Sequence, residues 1–111
     1  MNKLNQDQIV ANLSKFQGWI FENESILKQF QFKDFIEALS FVNAVGLESE
    51  KMDHHPDILM FAWNKVKITI STHSAGGVTE KDFSLAQKIE ERIKWVRGSM
   101  NSLINTMKIR W

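Results

Sequence analysis

The fold is decided by residues 66–71, Val66-Lys67-Ile68-Thr69-Ile70-Ser71. Apolar and polar residues alternate through this segment, which is the period-two pattern of a β-strand with one buried face. An apolar run precedes it, separated by the polar pair Asn64-Lys65. We therefore predict a hairpin whose strands run from Ile58 to Trp63 and from Val66 to Ser71.

A second hairpin is predicted nearer the N-terminus. Trp19 to Phe21 and Ile26 to Phe32 have strand character and flank the polar turn Asn23-Glu24-Ser25. The alternation Phe30-Gln31-Phe32 repeats the period-two pattern.

Three segments have the apolar spacing of amphipathic helices: residues 5–16, 33–51 and 79–97. Capping boxes mark two of their starts, Asn5 with Gln8 and Thr79 with Asp82. The third helix carries its apolar side chains at Phe83, Ala86, Ile89, Ile93 and Val96.

The second helix has an apolar stripe at the 4-3-4 spacing, formed by Phe35, Leu39, Val42 and Gly46. We expect this stripe to face the core. Glu50 continues it, so a carboxylate would lie on the core side and would need a partner or a function.

The predicted order is α-β-β-α-β-β-α in a single domain that spans residues 1–111. Two hairpins, each followed by a helix, favour an α+β fold in which helices pack on one face of a four-stranded, mainly antiparallel sheet. The other face would be bare, so we expect self-association to cover an edge or a face of the sheet.

Composition excludes several classes of protein. The 111 residues include 14 Lys and Arg against 13 Asp and Glu, and a net charge of +1 argues against nucleic acid as a partner. The lack of Cys excludes disulfides and thiolate metal clusters. No apolar run approaches the roughly 20 residues that span a bilayer, and the N-terminus lacks a signal-peptide core. We expect a cytoplasmic protein without a membrane partner.

The candidate chemistry rests on three histidines, His54, His55 and His73. If the last strand continues, His73 lies with Thr69 and Ser71 on the face away from the core. A metal site with nearby carboxylates is disfavoured, because adjacent histidines in an extended loop point apart and no H-x-H or H-x-x-x-H spacing occurs. Metal-free acid–base chemistry is the main hypothesis, because histidine both donates and accepts protons near neutrality. The alternative is that His54 and His55 are ordinary loop residues on the surface and that His73 is a sheet-edge residue.

A longer pattern surrounds these histidines. An acidic residue precedes a His-His-Pro triplet, and an aromatic residue, a second histidine and an aspartate follow. The matching residues are Glu50-Lys51-Met52-Asp53-His54-His55-Pro56, Trp63, Thr72-His73 and Gly77-Val78-Thr79-Glu80-Lys81-Asp82. The pattern resembles the signature of the pterin-4a-carbinolamine dehydratase family. The resemblance covers about residues 5–97 and leaves residues 99–111 as a C-terminal extension.

The resemblance implies the removal of water from 4a-hydroxytetrahydrobiopterin, giving quinonoid dihydropterin and recycling the cofactor of aromatic amino-acid hydroxylases. It implies that His54 and His73 are the acid–base pair and that His55 positions the pterin. Glu50 would bind the nitrogen-rich edge of the pterin or a histidine. The remaining implied pocket residues are Trp63, Ser71, Thr72 and Asp82, although Asp82 is also explained as a helix-capping residue.

The resemblance implies neither a metal nor another cofactor, and it implies a homodimer or homotetramer. Two alternatives remain: a protein-binding dimerisation cofactor or transcriptional coactivator, and a pterin-binding accessory protein.

Overall fold

The computed structural model describes residues 2–110, with side chains through Gly98. Within this range the chain forms three α-helices, four β-strands and one short 3₁₀ helix. In chain order they are α1 (Gln6–Leu13), β1 (Ile20–Glu22), β2 (Ser25–Gln31), α2 (Phe35–Met52), β3 (Asp57–Phe61), β4 (Lys65–Ile70), the 3₁₀ helix (His73–Ala75) and α3 (Glu80–Arg110). The predicted order α-β-β-α-β-β-α is confirmed.

The four strands form one antiparallel sheet in the order β1-β2-β4-β3. The two hairpins are joined through their long inner strands, with Ile26 opposite Ile70 and Phe30 opposite Val66. These apolar residues and Ile68 are buried against the helices. The period-two pattern of residues 66–71 therefore predicted the buried face of β4 correctly.

The predicted core face of α2 was wrong. Phe35 and Leu39 are 50% and 39% exposed, whereas Ala38, Phe41 and Val45 are fully buried. The helix carries two apolar stripes, and the one with Ala38, Phe41 and Val45 packs against the sheet and α3. The ring of Phe41 lies 4.7 and 5.0 Å from the rings of two phenylalanines at the end of β2, Phe30 and Phe32, so tertiary contacts with the sheet select this stripe. Val42 of the predicted stripe is half-buried at the edge of the core.

A charge pair joins α2 to α3. Arg92 donates from Nε to Oε1 of Glu48 at 3.2 Å, and Arg92 Nη2 and Lys51 Nζ lie 3.1 and 3.5 Å from the same oxygen. Burial alone would raise the pKa of the Glu48 carboxyl, but the Arg92 hydrogen bond and the charges of Lys51 and Arg92 outweigh it. The pKa of Glu48 is therefore held below its usual 4.5.

The β3–β4 turn differs from the prediction. Strand β3 ends at Phe61, and Ala62 and Trp63 form the turn with left-handed φ values of 47° and 55°. Asn64 is buried and donates from Nδ2 to the carbonyl of Phe32 at 2.8 Å. This contact anchors the turn to the end of β2 and leaves Trp63 59% exposed.

Helix α3 begins at the predicted cap but continues past the predicted end near Arg97 and runs to Arg110. Its five predicted apolar residues, Phe83, Ala86, Ile89, Ile93 and Val96, are all buried. Trp111 and the side chains of the predicted 99–111 extension lie outside the described residues.

Candidate active site

The end of α2 directs His54 into the protein. Asp53 has a left-handed backbone, with φ 50° and ψ 46°. Its N–H donates to the Glu50 carbonyl at 3.2 Å, and the His54 N–H donates to the Ser49 carbonyl at 3.0 Å. This pair of bonds is a Schellman motif, which reverses the chain direction at a helix end. Aspartate tolerates the left-handed conformation better than most residues other than glycine.

His54 is bound to Asp82. The histidine is 8% exposed and Asp82 is fully buried, with Nε2 2.6 Å from Oδ1 of the aspartate. When the carboxyl group of Asp82 is ionised it can only accept hydrogen bonds, and Nε2 of His54 then carries the hydrogen. The other ring nitrogen of neutral His54, Nδ1, is then the atom that can accept a proton.

The second oxygen of Asp82 binds the two threonines that flank the 3₁₀ helix. Oδ2 accepts from Thr72 Oγ1 at 2.9 Å and from the Thr79 N–H at 2.8 Å. The two threonine hydroxyls are 2.9 Å apart. Thr79 Oγ1 also accepts from the Lys81 N–H at 3.2 Å, which supports the first turn of α3. Asp82 therefore caps α3 and connects His54 to the segment that carries His73.

His73 lies in the 3₁₀ helix rather than on an extension of β4 as predicted. The chain folds back after Thr72, which pairs with Gly77 in an isolated antiparallel bridge. Gly76 closes the turn with φ 74°, a conformation that glycine adopts without strain. Because of this fold, His73 faces a pocket at the end of the sheet.

This pocket has a volume of about 340 Å³, which is within the range of small-molecule sites. Three of its residues were predicted as site residues: Ser71, Thr72 and His73. The others are Asn23, Glu24, Ser25, Asp57, Gly76 and Gly77. We call this space the His73 pocket.

Glu50 and His55 form a surface pair. Nε2 of His55 is 2.5 Å from Oε1 of Glu50, and their side chains are 56% and 76% exposed. The expectation that Glu50 faces the core was therefore wrong, for the same reason as the rest of its stripe. The resemblance also suggested that Glu50 binds a histidine. The structure contains that contact, between Glu50 and His55.

Trp63 does not line the His73 pocket. It lies in the turn before β4, whereas His73 follows the other end of that strand. A strand of six residues spans roughly 20 Å, since each residue advances the chain by about 3.3 Å. Trp63 was predicted to end a strand and to form a wall of the pocket. Because β3 and β4 form an antiparallel hairpin, the residues that connect them lie at the opposite end of β4 from His73.

Six of the pocket residues were not predicted as pterin-binding residues: Asn23, Glu24, Ser25, Asp57, Gly76 and Gly77. The turn between β1 and β2 was predicted, but whether it lies beside the end of β4 depends on the order of the strands in the sheet. The order β1-β2-β4-β3 places the β1–β2 turn beside the end of β4. A hairpin signal contains no information about which strand will be its neighbour.

The described residues contain neither a grouped set of metal ligands nor a helix that could span a membrane. No three His, Asp or Glu side chains among them are grouped to hold a metal ion. No described helix is both long enough and apolar enough to cross a membrane.

Comparison with known proteins assigns the family. The family model for pterin 4 alpha carbinolamine dehydratase matches residues 2–92. The chain belongs to this family. The resemblance found from residues 50–82 is thereby confirmed, and the match ends before residues 99–111.

Relatives from distant organisms align over nearly their full length. A Sulfolobus acidocaldarius protein provisionally named pterin-4-alpha-carbinolamine dehydratase is 45% identical over 80% of this chain and 97% of its own. One from Christiangramia forsetii with the same provisional name is 43% identical over 85% of this chain and 96% of its own.

A solved structure confirms the fold. The crystal structure of a transcriptional coactivator/pterin dehydratase from Brucella melitensis aligns with a TM-score of 0.76 and 38% identity. The alignment covers 81% of this chain and 97% of that one.

Proposed function

We propose that this protein dehydrates pterin-4a-carbinolamine, 4a-hydroxytetrahydrobiopterin, to quinonoid dihydropterin and water. The observation that carries the proposal is the hydrogen-bonded chain from buried His54 through Asp82 to Thr72. Thr72 and His73 line a pocket of about 340 Å³, and His54 is connected to that pocket through this chain but does not line it. Membership in the dehydratase family supports the same reaction.

The reaction requires two proton transfers. The bond between C4a and the hydroxyl oxygen breaks, and the oxygen leaves as water after it accepts a proton. A ring N–H loses its proton, and the electron pair forms the new C=N bond. One group must donate and another must accept, which histidines do near neutral pH.

We assign these transfers to His54 and His73. Asp82 keeps the hydrogen on Nε2 of His54, so Nδ1 of the neutral ring suits the accepting role. His73 lines the pocket and suits the donating role. Asp82 is then a positioning residue that orients His54, as a carboxylate behind a histidine does in hydrolases.

The other predicted residues have supporting roles in this proposal. Ser71 and Thr72 line the pocket and can bind the pterin ring. His55, which is hydrogen-bonded to Glu50, positions the pterin from the surface of the protein. The reaction would recycle the pterin cofactor of aromatic amino-acid hydroxylases in the cytoplasm, without a metal or another cofactor.

A coupled assay tests the proposal. The substrate is generated in situ and the dehydration rate is measured above the spontaneous rate. His54→Ala and His73→Ala should each lower the catalysed rate by about 10²–10⁴-fold, and the double variant should approach the spontaneous rate. His55→Ala is the matched histidine control, and it should raise KM more than it lowers kcat. A folded double variant with the wild-type rate would disprove the assignment.

A second candidate is protein binding, favoured by the exposed apolar face of α2. Phe35, Ile36 and Leu47 are each at least 50% exposed on this helix. Such a row suits a partner helix or a second copy of the chain, and we propose a homo-oligomer, a dimer or tetramer. Sedimentation should show more than one chain per particle, and Leu47→Glu should reduce this association, whereas Glu91→Gln on exposed α3 should not.

A further inference from the structure

The His73 pocket has a wall that the proposed reaction does not use, the turn between β1 and β2. Glu22 pairs with Ser25, so Asn23 and Glu24 form a two-residue turn. Both have left-handed backbones, with φ 50° and 59°. This turn type favours Asn-Gly, because glycine adopts the second position without strain. Here a glutamate occupies that position.

The carboxylate of Glu24 lies against the segment that carries His73. A Cβ atom placed on Gly77 would be 2.8 Å from Oε2 of Glu24, closer than real contacts allow. The absence of a side chain at Gly77 therefore makes room for the carboxylate. Gly77 also pairs with Thr72, the residue that precedes His73.

The ionic partner of Glu24 leaves this carboxylate available. Lys3 Nζ is 3.6 Å from Oε2, and both side chains are more than half exposed. Exposed pairs of this kind are weak. A carboxylate has about four lone-pair sites, so Glu24 can accept further hydrogen bonds inside the pocket.

We propose that Glu24 is a substrate-binding residue whose carboxylate accepts hydrogen bonds from the 2-amino group and the adjacent ring N–H of the pterin. This inference rests on the proposed function and assigns a contact within the same site. Two donors on one edge of a flat ring match the two oxygens of a carboxylate, as in bidentate recognition of a guanidinium. Glu50, the candidate from the sequence, is instead bound to His55 on the surface.

The test compares two ligands that differ at this edge. Calorimetry measures binding of 7,8-dihydropterin and of 7,8-dihydrolumazine, which has an oxygen in place of the 2-amino group. The wild type should prefer the dihydropterin by about tenfold or more, as expected for a hydrogen bond to a charged group. Glu24→Gln should remove most of this preference. Glu22→Gln, on the same hairpin and also exposed, should retain it.

Two further variants separate binding from indirect effects. Lys3→Ala removes the ionic partner but leaves the carboxylate, so it should retain the preference. Asp57→Asn changes the other carboxylate of the pocket and should also retain it. Loss of the preference in either variant, or its full retention in Glu24→Gln, would overturn the role of Glu24. In that case wild-type turnover of the carbinolamine would leave the proposed function intact. A wild type that neither binds dihydropterin nor turns over the carbinolamine would overturn both.

Discussion

Replacing Asp82 by asparagine tests whether the buried carboxylate orients His54. The substitution preserves size and keeps one oxygen acceptor but introduces an NH₂ donor. If the amide oxygen keeps the bonds to Thr72 Oγ1 and the Thr79 N–H, the NH₂ group faces Nε2 of His54. His54 must then accept at Nε2 and carry its hydrogen on Nδ1, which is the opposite tautomer.

The hydrogen bonds of Asp82 set the range of stability loss expected when this residue is replaced. Asp82 accepts three hydrogen bonds, from His54, Thr72 and the Thr79 N–H. Alanine would leave all three donors without an acceptor, at about 1–3 kcal/mol each, a large share of the roughly 5–15 kcal/mol that holds a domain folded. Asparagine keeps every bond but replaces a charged acceptor by a neutral one, so we expect a loss of about 1–2 kcal/mol.

The activity loss should be much larger than this stability loss suggests. With its hydrogen on Nδ1, neutral His54 cannot accept a proton at that atom, and the catalysed rate should fall by about 10²–10⁴-fold. Urea denaturation measures stability, nitrogen NMR of the labelled imidazole identifies the tautomer, and the coupled assay gives the rate. A folded Asp82→Asn protein with the changed tautomer and the wild-type rate would refute the role of His54 as the base.

Three further predictions concern the Glu48 ion pair, the contact between Gly77 and Glu24, and metal dependence. The pKa of Glu48 is lowered in the folded protein, so its stabilising contribution is present above the usual value of 4.5 and is lost as pH falls through the folded pKa. Urea denaturation at pH 7 and pH 3 should therefore show a smaller loss of unfolding free energy for Glu48→Gln than for the wild type. Gly77→Ala should displace the Glu24 carboxylate and raise KM, with less than about 1 kcal/mol change in stability, since the clash involves flexible side-chain ends. Activity should survive exhaustive chelation, measured in the same coupled assay, because the proposed steps are proton transfers alone.

The elements could be predicted from sequence because each is specified locally. The capping box of Asn5 and Gln8 is present with both bonds at 2.9 Å, and Thr79 with Asp82 starts α3. The alternation through residues 66–71 fixed the buried face of β4. These signals depend on neighbours within four residues, so the rest of the fold could not obscure them.

The choice between two faces of α2 could not be predicted in the same way. Phe35-Leu39-Val42 and Ala38-Phe41-Val45 both have helical spacing, and only packing against the sheet decides between them. The error for Glu50 has this origin, because its orientation followed from the wrong stripe. Trp63 is a separate case: its assignment to a strand followed from a hairpin turn placed too late in the chain.

Asp82 has both a local role as a helix-capping residue and a tertiary role as the partner of His54. A capping box favours Glu or Gln at the third helical position, because the longer side chain reaches back to the N–H of the cap residue. Here the shorter aspartate makes that bond at 2.8 Å and also contacts Thr72 and His54. A glutamate could cap the helix, but its extra methylene would have to fit where Asp82 is fully buried beside the imidazole. A departure from the local preference at a buried, fully bonded residue is expected where a site, rather than the helix, determines the residue type. Asp82→Glu should therefore preserve the helix yet weaken the contact with His54.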